Sequence, residues 1–284
     1  MTPTIVDTHT HVVSLDRSRY PVQPPAGLPR LNWFDEHPVD AAALLTDMDK
    51  AGVHAAVLVQ AKGAYGFDNS YAADARAAAP DRFVSASIID MEAADRIEQL
   101  TYWAIERGML GTRLFNIPPA AKPWLNDPAT RGVFDRVREL GIRVNLCTLV
   151  DDVPLVGALA ELAGDVPIAF DHCGFTDFSG GPPYHAAAPL FALAPHRNLR
   201  FKVTTTLLEP ARHPGGDPRD LVEHLCGVFG VERLLWGSDY PQHHSEPYPE
   251  IVELARYACS RLTPSEQARF LGDNALELWP EVRP

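Results

Sequence analysis

One pattern recurs along this chain: a helical segment ends in a glycine, and an apolar residue begins a strand directly after it. The pattern occurs at Ala51-Gly52-Val53, Arg107-Gly108-Met109, Leu140-Gly141-Ile142 and Phe229-Gly230-Val231. Glycine suits the left-handed backbone conformation that ends a helix. Each occurrence therefore predicts a helix followed closely by a strand, which indicates a chain of alternating helices and strands.

Eight segments have the composition of strands: a first one that begins at residue 4, then 53–60, 83–89, 111–115, 142–147, 167–170, 199–203 and 233–236. Most are continuous apolar runs, typical of parallel strands covered on both faces. Apolar residues at helical spacing lie between them, and Asn126 is the predicted N-cap of one helix. The alternation predicts a (β/α)8 barrel formed as a single domain by residues 1–284. An open doubly wound sheet is the alternative, but no glycine-rich phosphate fingerprint follows the first strand.

The overall composition narrows the classes of partner. The chain has 284 residues, of which 46% are hydrophobic, and a formal net charge of -12. This charge argues against nucleic acid or an anionic membrane as a partner, although local basic residues can still bind an acidic small molecule. The four cysteines are widely spaced, and no apolar run approaches the roughly 20 residues of a membrane span. We expect a cytoplasmic protein with a small-molecule substrate, and the sequence leaves open whether it forms a homo-oligomer.

Three polar residues close the first strand in the segment Asp7-Thr8-His9-Thr10-His11. Because strand side chains alternate between faces, Asp7, His9 and His11 are predicted to share one face. Two imidazoles placed in this way can share a metal ion or a substrate oxygen. We expect Asp7 to have a structural role, bonding the backbone or orienting a histidine.

Further candidate residues follow two later strands. His172 follows the sixth strand in Phe170-Asp171-His172-Cys173-Gly174, and Asp239 follows the eighth in Trp236-Gly237-Ser238-Asp239-Tyr240-Pro241. Because active sites of (β/α)8 barrels lie at the carboxyl ends of the strands, both are predicted to meet His9 and His11 at one rim. The alternatives are that the histidines bond carbonyls in the core and that Asp239 caps the next helix.

These segments resemble the amidohydrolase superfamily, and in particular its amidohydrolase-2 branch. The resemblance covers nearly the whole chain and rests on His9 and His11, the His172 segment, the residues around Asp239, and the closing Gly272-Asp273-Asn274-Ala275. Within the branch, the chain is most similar to 2-pyrone-4,6-dicarboxylate lactonases and related sugar and muconolactone lactonases. That similarity rests on Gln60, Tyr65-Gly66 and Asp68-Asn69 after the second strand, and on Arg113 and Phe115 at the end of the fourth.

The resemblance implies a metal site, with one departure from the usual ligand set. Many members of the superfamily take a ligand from the fifth strand, either a histidine or a carboxylated lysine. Here that strand ends in Val144-Asn145-Leu146-Cys147, which offers neither. We therefore expect one divalent ion, Zn²⁺ or Mn²⁺, held by His9, His11 and Asp239, with His172 as a further candidate ligand. A metal-free mechanism stays open, because the lactonases that this chain resembles include members that work without metal.

Lactone hydrolysis fits these residues. Water must lose a proton, the carbonyl must be polarised and the leaving oxygen must be neutralised. Asp239 is the candidate general base, and the three histidines would polarise the carbonyl through a metal or as hydrogen-bond donors. The alternatives are metal-dependent non-oxidative decarboxylation, which the missing fifth-strand histidine disfavours, and cyclic-amide hydrolysis or a hydration. A decayed barrel that only binds its ligand is the non-enzyme alternative.

Five residues are candidates for substrate binding: Arg113, Gln60, Tyr65, Asn116 and Lys202. A guanidinium at Arg113 would bind a carboxylate through two hydrogen bonds, although a structural salt bridge is its alternative. The direction of Lys202 depends on the register of its strand. The loop at 12–39 is longer than most loops of compact domains, and we expect it to cover the pocket as a lid. The lid is predicted to carry Arg17, Arg19, Tyr20, Arg30, Trp33 and Phe34.

Overall fold

Eight parallel strands follow one another in chain order in the computed structural model, which describes residues 3–25, 32–117, 123–212 and 216–284. The strands are β1 (Val6–Thr10), β2 (Ala55–Val59), β3 (Phe83–Ile88), β4 (Gly111–Asn116), β5 (Arg143–Thr148), β6 (Ile168–Phe170), β7 (Leu199–Thr204) and β8 (Leu234–Gly237). Each strand pairs in parallel with the next one along the chain. The predicted (β/α)8 barrel is therefore confirmed, and the open sheet is excluded.

The barrel closes between β8 and β1. The amide of Asp239 donates to the carbonyl of His9 at 2.8 Å, and the amide of His11 donates to the carbonyl of Tyr240 at 2.8 Å. Thr10 and Tyr240 form a parallel bridge at the same place. The two edges of the sheet thus meet at the segments that carry three of the four predicted catalytic residues.

Helices surround the strands throughout the described ranges. The α-helices are α1 (Trp33–Glu36), α2 (Ala41–Ala51), α3 (Lys62–Tyr65), α4 (Ser70–Ala78), α5 (Arg96–Thr101), α6 (Arg131–Leu140), α7 (Val153–Ala163), α8 (Ala188–Phe191), α9 (Thr205–Leu208), α10 (Pro218–Phe229), α11 (Tyr248–Ala258), α12 (Pro264–Ala268) and α13 (Asn274–Leu278). The π-helical segments Tyr102–Glu106 and Arg269–Asp273 follow α5 and α12. Short 3-10 turns occupy Pro123–Leu125, Pro128–Thr130, Val150–Asp152, His185–Ala187, Pro210–Arg212, Val231–Arg233 and Pro280–Val282. Of the helices described, none has the length and apolar character of a membrane span.

Local sequence explains where individual helices begin and end. The Asp40 side chain caps the first turn of α2, and Gly52 ends that helix with φ +70°. The prediction that Asn126 is a helix cap is wrong by one residue. Asp127 instead caps the 3-10 turn Pro128–Thr130 that leads into α6, and its side chain accepts the amide of Ala129.

The first strand departs from regular alternation. Asp7 pairs with Ala56 and Thr10 pairs with Leu58, so three steps along β1 match two steps along β2. Such an irregularity interrupts the period of two on which a shared face for Asp7 and the two histidines was predicted. The Asp7 carboxylate accepts a hydrogen bond from Tyr248 of α11. It also accepts the amides of His9 and Ser238, which agrees with the structural role predicted for it.

The C-terminal segment closes the end of the barrel at which the strands begin. Val57 and Leu235 belong to an apolar cluster that also contains Trp279 and Val282. The His54 side chain, just before β2, bonds the carbonyl of Val282 at 2.8 Å. Because this end is filled, the carboxyl ends of the strands are left as the open mouth of the barrel.

Candidate active site

The four predicted catalytic residues meet at the open mouth of the barrel. His11 Nε2 lies 3.3 Å from Asp239 Oδ1, and His9 Nε2 lies 3.7 Å from the same oxygen. The rings of His9 and His172 are 4.6 Å apart between centroids. All four side chains are buried. The structure therefore brings together residues from three distant segments, as the barrel rule predicted.

Two of these residues have an unusual backbone conformation. His172 has φ +54° and Asp239 has φ +61°, in the left-handed region that residues other than glycine seldom adopt. His172 lies in the tight turn Asp171–Phe175 directly after β6, and Asp239 follows β8. Each such residue costs about 1–3 kcal/mol, and they concentrate at functional sites. The conformation of Asp239 and its place in the loop before α11 also exclude the helix-cap alternative.

Hydrogen bonds to the far side of two imidazole rings fix their orientation. His11 Nδ1 lies 2.7 Å from the carbonyl oxygen of Val59, so Nδ1 carries a proton and donates it. His172 Nδ1 lies 2.8 Å from Thr204 Oγ1. In each ring Nε2 is left for a ligand, which is the arrangement that neighbouring groups impose on metal-binding histidines.

The atoms that face one another at Asp239 need a cation or a proton between them. Asp239 Oδ1 and His9 Nε2 are buried and have no hydrogen-bond partner in the described part of the chain. In a neutral ring, His11 Nε2 presents a lone pair to the same carboxylate oxygen. His9, His172 and Asp239 each offer one ligand atom, and these atoms lie within 4.8 Å of one another. Imidazole nitrogens and a carboxylate oxygen are a donor set that fits one divalent metal ion.

Burial is the largest influence on the charges of this group. It lowers the pKa of His172 to about 4, so that ring is neutral at neutral pH. It also lowers the pKa of His9 well below the ordinary value, against the attraction of Asp171. Burial alone would raise the pKa of Asp239, but the surrounding imidazoles, His172 foremost, hold it below its usual range. An ionised carboxylate beside neutral imidazoles is the state that binds a divalent cation.

A buried charge network lies behind the His9 ring. Asp171 Oδ1 is 2.9 Å from Lys202 Nζ and 3.3 Å from His9 Nδ1. Asp171 Oδ2 accepts a hydrogen bond from Arg113 Nε at 2.8 Å, and Lys202 Nζ donates to Asn145 Oδ1 at 2.6 Å. Burial opposes the charge of Asp171, but Lys202, His9 and Arg113 hold its pKa well below the ordinary value. The network therefore places both the Asp171 carboxylate and the Lys202 amine 3.3 Å from His9 Nδ1.

A cavity of about 640 Å³ opens in front of the catalytic group, a volume that suits a small-molecule ligand. His11 and His172 form part of its wall, and Lys62 and Arg113 bring positive charge to it. Its apolar lining includes Phe115, Ile117 and Phe175, together with Val22, Pro24 and Pro25 of the loop after β1. Asp35 adds one carboxylate to the wall, so the cavity is mainly apolar and carries two cations and one anion.

The candidates for substrate binding fall into two groups. Arg113 lines the cavity, and no described residue accepts a hydrogen bond from its two Nη groups. The other four lie outside the described lining: Gln60, Tyr65, Asn116 and Lys202. Lys202 is fully buried in the charge network, and Asn116 joins β4 to the segment after β5 through a 2.9 Å bond to Asp152. These placements favour supporting roles for the second group.

Gln60 and Tyr65 hold the loops at the mouth in place. Gln60 Nε2 donates to the carbonyls of Gly66 and Asp68 at 3.0 and 2.8 Å. The Tyr65 hydroxyl accepts the amide of Ser14 at 2.8 Å and so ties the loop after β1 to the loop after β2. Both side chains therefore act on the shape of the cavity wall.

The described part of the predicted lid contributes to that wall. The Trp33 ring lies 5.7 Å from the His11 ring, between centroids. Arg19 and Tyr20 contact Asp74 of α4, and Arg17 donates to the carbonyl of Phe34. Arg30 lies outside the described residues. These contacts attach the described parts of the loop to α4 and to each other.

Two residues at the site are absent from the predicted catalytic and substrate-binding sets, although the sequence already places Lys62 in a rim segment. Asp171 precedes His172, and a carboxylate directly after a short buried strand is a signal that could have identified it. Lys62 comes two residues after Gln60 at the same rim, but a lysine after a strand is common and its partners are distant in sequence. The contacts of both residues form only when the barrel brings distant segments together.

The fold and the site define a barrel hydrolase of the amidohydrolase kind. A model of the amidohydrolase family matches residues 6–280. The chain therefore belongs to the amidohydrolase family, and the resemblance seen in the sequence is confirmed.

Individual relatives narrow the class further. The chain is 26% identical to the L-fucono-1,5-lactonase of Burkholderia ambifaria, over 98% of this chain and 96% of that protein. A candidate 2-pyrone-4,6-dicarboxylic acid hydrolase of Pseudomonas putida superposes with a TM-score of 0.78, at 25% identity and 100% coverage of both chains. An amidohydrolase of Burkholderia multivorans solved with bound zinc has the same fold, with a TM-score of 0.76, 18% identity and coverage of 98% and 99%. The first two relatives support an enzyme that hydrolyses a cyclic ester bond of a small molecule, and the third shows the same fold.

Proposed function

We propose that this protein opens the lactone ring of a small carboxylated acid by adding water across the cyclic ester bond. The observation that carries the proposal is Asp239 Oδ1, which lies among imidazoles with no hydrogen-bond donor from the described residues. An ionised carboxylate in this position can accept a proton from an attacking water. The lactonase of Burkholderia ambifaria supports the same class of reaction.

One divalent ion, Zn²⁺ or Mn²⁺, is part of the proposal. His9, His172 and Asp239 would hold it, with His11 as the fourth candidate ligand. Such an ion, when bound, lowers the pKa of water and polarises a carbonyl oxygen. Both ions accept imidazole and carboxylate donors, so the donor set does not choose between them. In the metal-free alternative, Nε2–H groups of the histidines would have to polarise the carbonyl.

Asp239 transfers the proton in both halves of the proposed reaction. It accepts a proton from water as the water oxygen forms its bond to the lactone carbonyl carbon. When the tetrahedral adduct collapses, the bond to the ring oxygen breaks and Asp239 returns the proton to that oxygen. The product is one open chain with a hydroxyl and a carboxylic acid, and the acid ionises at neutral pH.

Arg113 is the proposed anchor for a carboxylate of the substrate. Its Nε is bonded to Asp171, which fixes the plane of the guanidinium. The two Nη groups are left to bind a carboxylate in the cavity through parallel hydrogen bonds. This anchor would place the lactone carbonyl relative to Asp239.

A pH-indicator assay tests the proposed reaction. The enzyme should release one proton for each carboxylated lactone that it opens. Arg113→Lys keeps a positive charge near Asp171 but loses the two-pronged geometry, so KM should rise about tenfold or more with a smaller change in kcat. Arg138→Lys, at an exposed ion pair, is the matched control and should behave as wild type.

The same assay separates the alternatives. Carbon dioxide release with proton uptake would replace the proposal with decarboxylation. Opening of a cyclic amide to an amino acid, with no lactone opened, would replace it with amide hydrolysis. An unchanged KM in Arg113→Lys would remove Arg113 as the anchor but leave the reaction in place.

A further inference from the structure

Lys62 is a cation in the cavity wall, and no carboxylate of the described residues is bonded to it. It begins α3, two residues after Gln60, and its half-buried side chain lines the cavity. Lys62 Nζ lies 3.5 Å from the ring centroid of Phe67 and 5.1 Å from that of Phe115. Among the described residues, Nζ has no ion-pair or hydrogen-bond partner, so aromatic faces are its main contacts. Its three N–H groups are therefore available to a ligand.

A second cation shares one of these aromatic rings. The guanidinium carbon of Arg113 lies 5.2 Å from the ring centroid of Phe115, which Lys62 also faces. Asp171 balances part of the charge of Arg113 on the side away from the cavity. Nothing comparable balances Lys62 within the described chain, because Asp90 attracts it without forming an ion pair. The wall thus presents two positive charges at Lys62 and Arg113, and the lining carboxylate of Asp35 faces Arg17 at 3.8 Å.

The surroundings of Lys62 make its charge sensitive to pH. Burial lowers the pKa of Lys62 to about 8; Arg113 lowers it further, while Asp90 and Cys147 oppose the shift. The ammonium is therefore mainly charged at neutral pH and loses its charge as the pH rises past 8. An anionic ligand would favour the charged form and would itself be bound more tightly by it.

Gln60 places Lys62 in this position. It bonds the carbonyls of Gly66 and Asp68, on either side of Phe67, whose ring lies against the ammonium. These two hydrogen bonds hold residues 66–68 in place, and the Phe67 ring is thereby kept against the Lys62 ammonium. A preformed cation of this kind loses little side-chain freedom when a ligand binds.

We propose that Lys62 and Arg113 together bind the acidic end of the substrate, and that Lys62 selects carboxylated lactones over neutral sugar lactones. The selection of substrates by Lys62 rests on the proposed function, because it assumes that a lactone is hydrolysed. The anion-binding site itself does not depend on that assumption. The chemistry that the site recognises is a carboxylate, or two carboxylates, on a ring small enough for the cavity.

The first experiment measures anion binding without turnover. Isothermal titration calorimetry with citrate would compare wild type, Lys62→Met, Lys62→Arg and the exposed control Lys50→Met. We expect Lys62→Met to weaken citrate binding about 10- to 100-fold at pH 7, because a hydrogen bond to a charged group is lost. Wild-type affinity should fall as the pH rises through about 8, whereas Lys62→Arg should keep its affinity to higher pH. Lys50→Met should match wild type.

The second experiment measures selection between substrates. KM would be determined for 2-pyrone-4,6-dicarboxylate and for the uncharged L-fucono-1,5-lactone. Lys62→Met should raise KM for the dicarboxylate by the same factor as the loss of citrate affinity and should leave KM for the neutral lactone within about twofold. A parallel change for both substrates would show a general effect on the cavity and would overturn the proposal.

The two experiments fail in distinguishable ways. If Lys62→Met is folded and binds citrate as tightly as wild type at pH 7, the anion site is wrong whatever the enzyme hydrolyses. If citrate binding depends on Lys62 but no lactone is opened, the anion site stands and the proposed function falls. A third outcome concerns selection alone. If all variants hydrolyse the neutral lactone and none hydrolyses the dicarboxylate, and if Lys62→Met hydrolyses the neutral lactone no faster than Lys50→Met does, the selection role of Lys62 is overturned.

Discussion

Lys202 Nζ lies 2.9 Å from Asp171 Oδ1, and both side chains are completely buried beneath the ring of His9. The pair comes from β7 and from the turn after β6, so it also joins two neighbouring segments of the barrel. Asn145 of β5 accepts a hydrogen bond from the same ammonium. A fixed positive charge thus occupies the interior next to the catalytic group.

Replacing this lysine should destabilise the fold. Lys202→Met leaves the buried carboxylate of Asp171 with only part of its compensation, so the free energy of unfolding should fall by about 3–5 kcal/mol. Urea unfolding followed by circular dichroism measures the change. Lys50→Met, at an exposed ion pair, should stay within about 0.5 kcal/mol of wild type. Equal stability of the two variants would mean that the network contributes nothing to stability.

Removing the charge of the proposed base should abolish most turnover. Asp239→Asn keeps the shape of the side chain and its contact with Thr206, so the melting temperature should change little. It cannot accept a proton, and kcat should fall about 100- to 10,000-fold. Steady-state kinetics measures kcat, and Asp177→Asn at an exposed position is the control. Full turnover in Asp239→Asn would assign the base to another group.

Metal content separates the two versions of the mechanism. We expect purified protein to carry about one Zn²⁺ or Mn²⁺ ion per chain, since the donor atoms of His9, His172 and Asp239 converge on one point. Elemental analysis measures the content, and Asp239→Asn should lower it. Chelation should remove activity, and one equivalent of metal should restore it. Full activity in a metal-free preparation would favour direct hydrogen bonding by the histidines.

A glycine near the C-terminus should tolerate no side chain. A Cβ atom at Gly272 would lie 2.1 Å from the carbonyl oxygen of Thr4, just before β1. Gly272→Ala should therefore cost about 1–3 kcal/mol or prevent folding. Gly227→Ala in α10, where nothing lies within 4 Å, should instead stabilise the protein by about 0.5–1 kcal/mol. Thermal unfolding measures both, and a neutral Gly272→Ala would contradict the close contact.

The lid prediction can be tested through its tie to Tyr65. Tyr65→Phe removes the hydroxyl that accepts the amide of Ser14, a loss of about 1 kcal/mol, and should raise KM about fivefold with the fold intact. Tyr257→Phe at an exposed position is the control. Unchanged kinetics in Tyr65→Phe would mean that this part of the loop does not shape the cavity.

The barrel and its rim were predictable because their signals are local or follow from a general rule. Gly52 and Gly141 mark helix ends with positive φ, and apolar runs mark the strands between. Once eight strands alternate with helices, strand ends must share one rim, which is why His172 and Asp239 meet the first-strand histidines.

The remaining features depend on geometry that no local pattern records. The direction of Lys202 follows from the register of β7, and its partner Asp171 lies on a different strand end. The irregularity in β1 is set by pairing with β2. A lysine after a strand is usually exposed to solvent. Lys62 instead lines the cavity, and its ammonium lies against Phe67 and Phe115, which come from different segments.

The seam between the first and last strands has a consequence for how activity arises during folding. Backbone hydrogen bonds between His9 and Asp239 and between His11 and Tyr240 close the barrel. The same hydrogen bonds set the distances between the catalytic side chains. An intermediate with β1 to β7 assembled would hold most of the pocket and still lack its proton acceptor, Asp239. After dilution from denaturant, turnover should therefore recover later than the circular dichroism signal of the helices. The return of turnover would mark the pairing of β8 with β1.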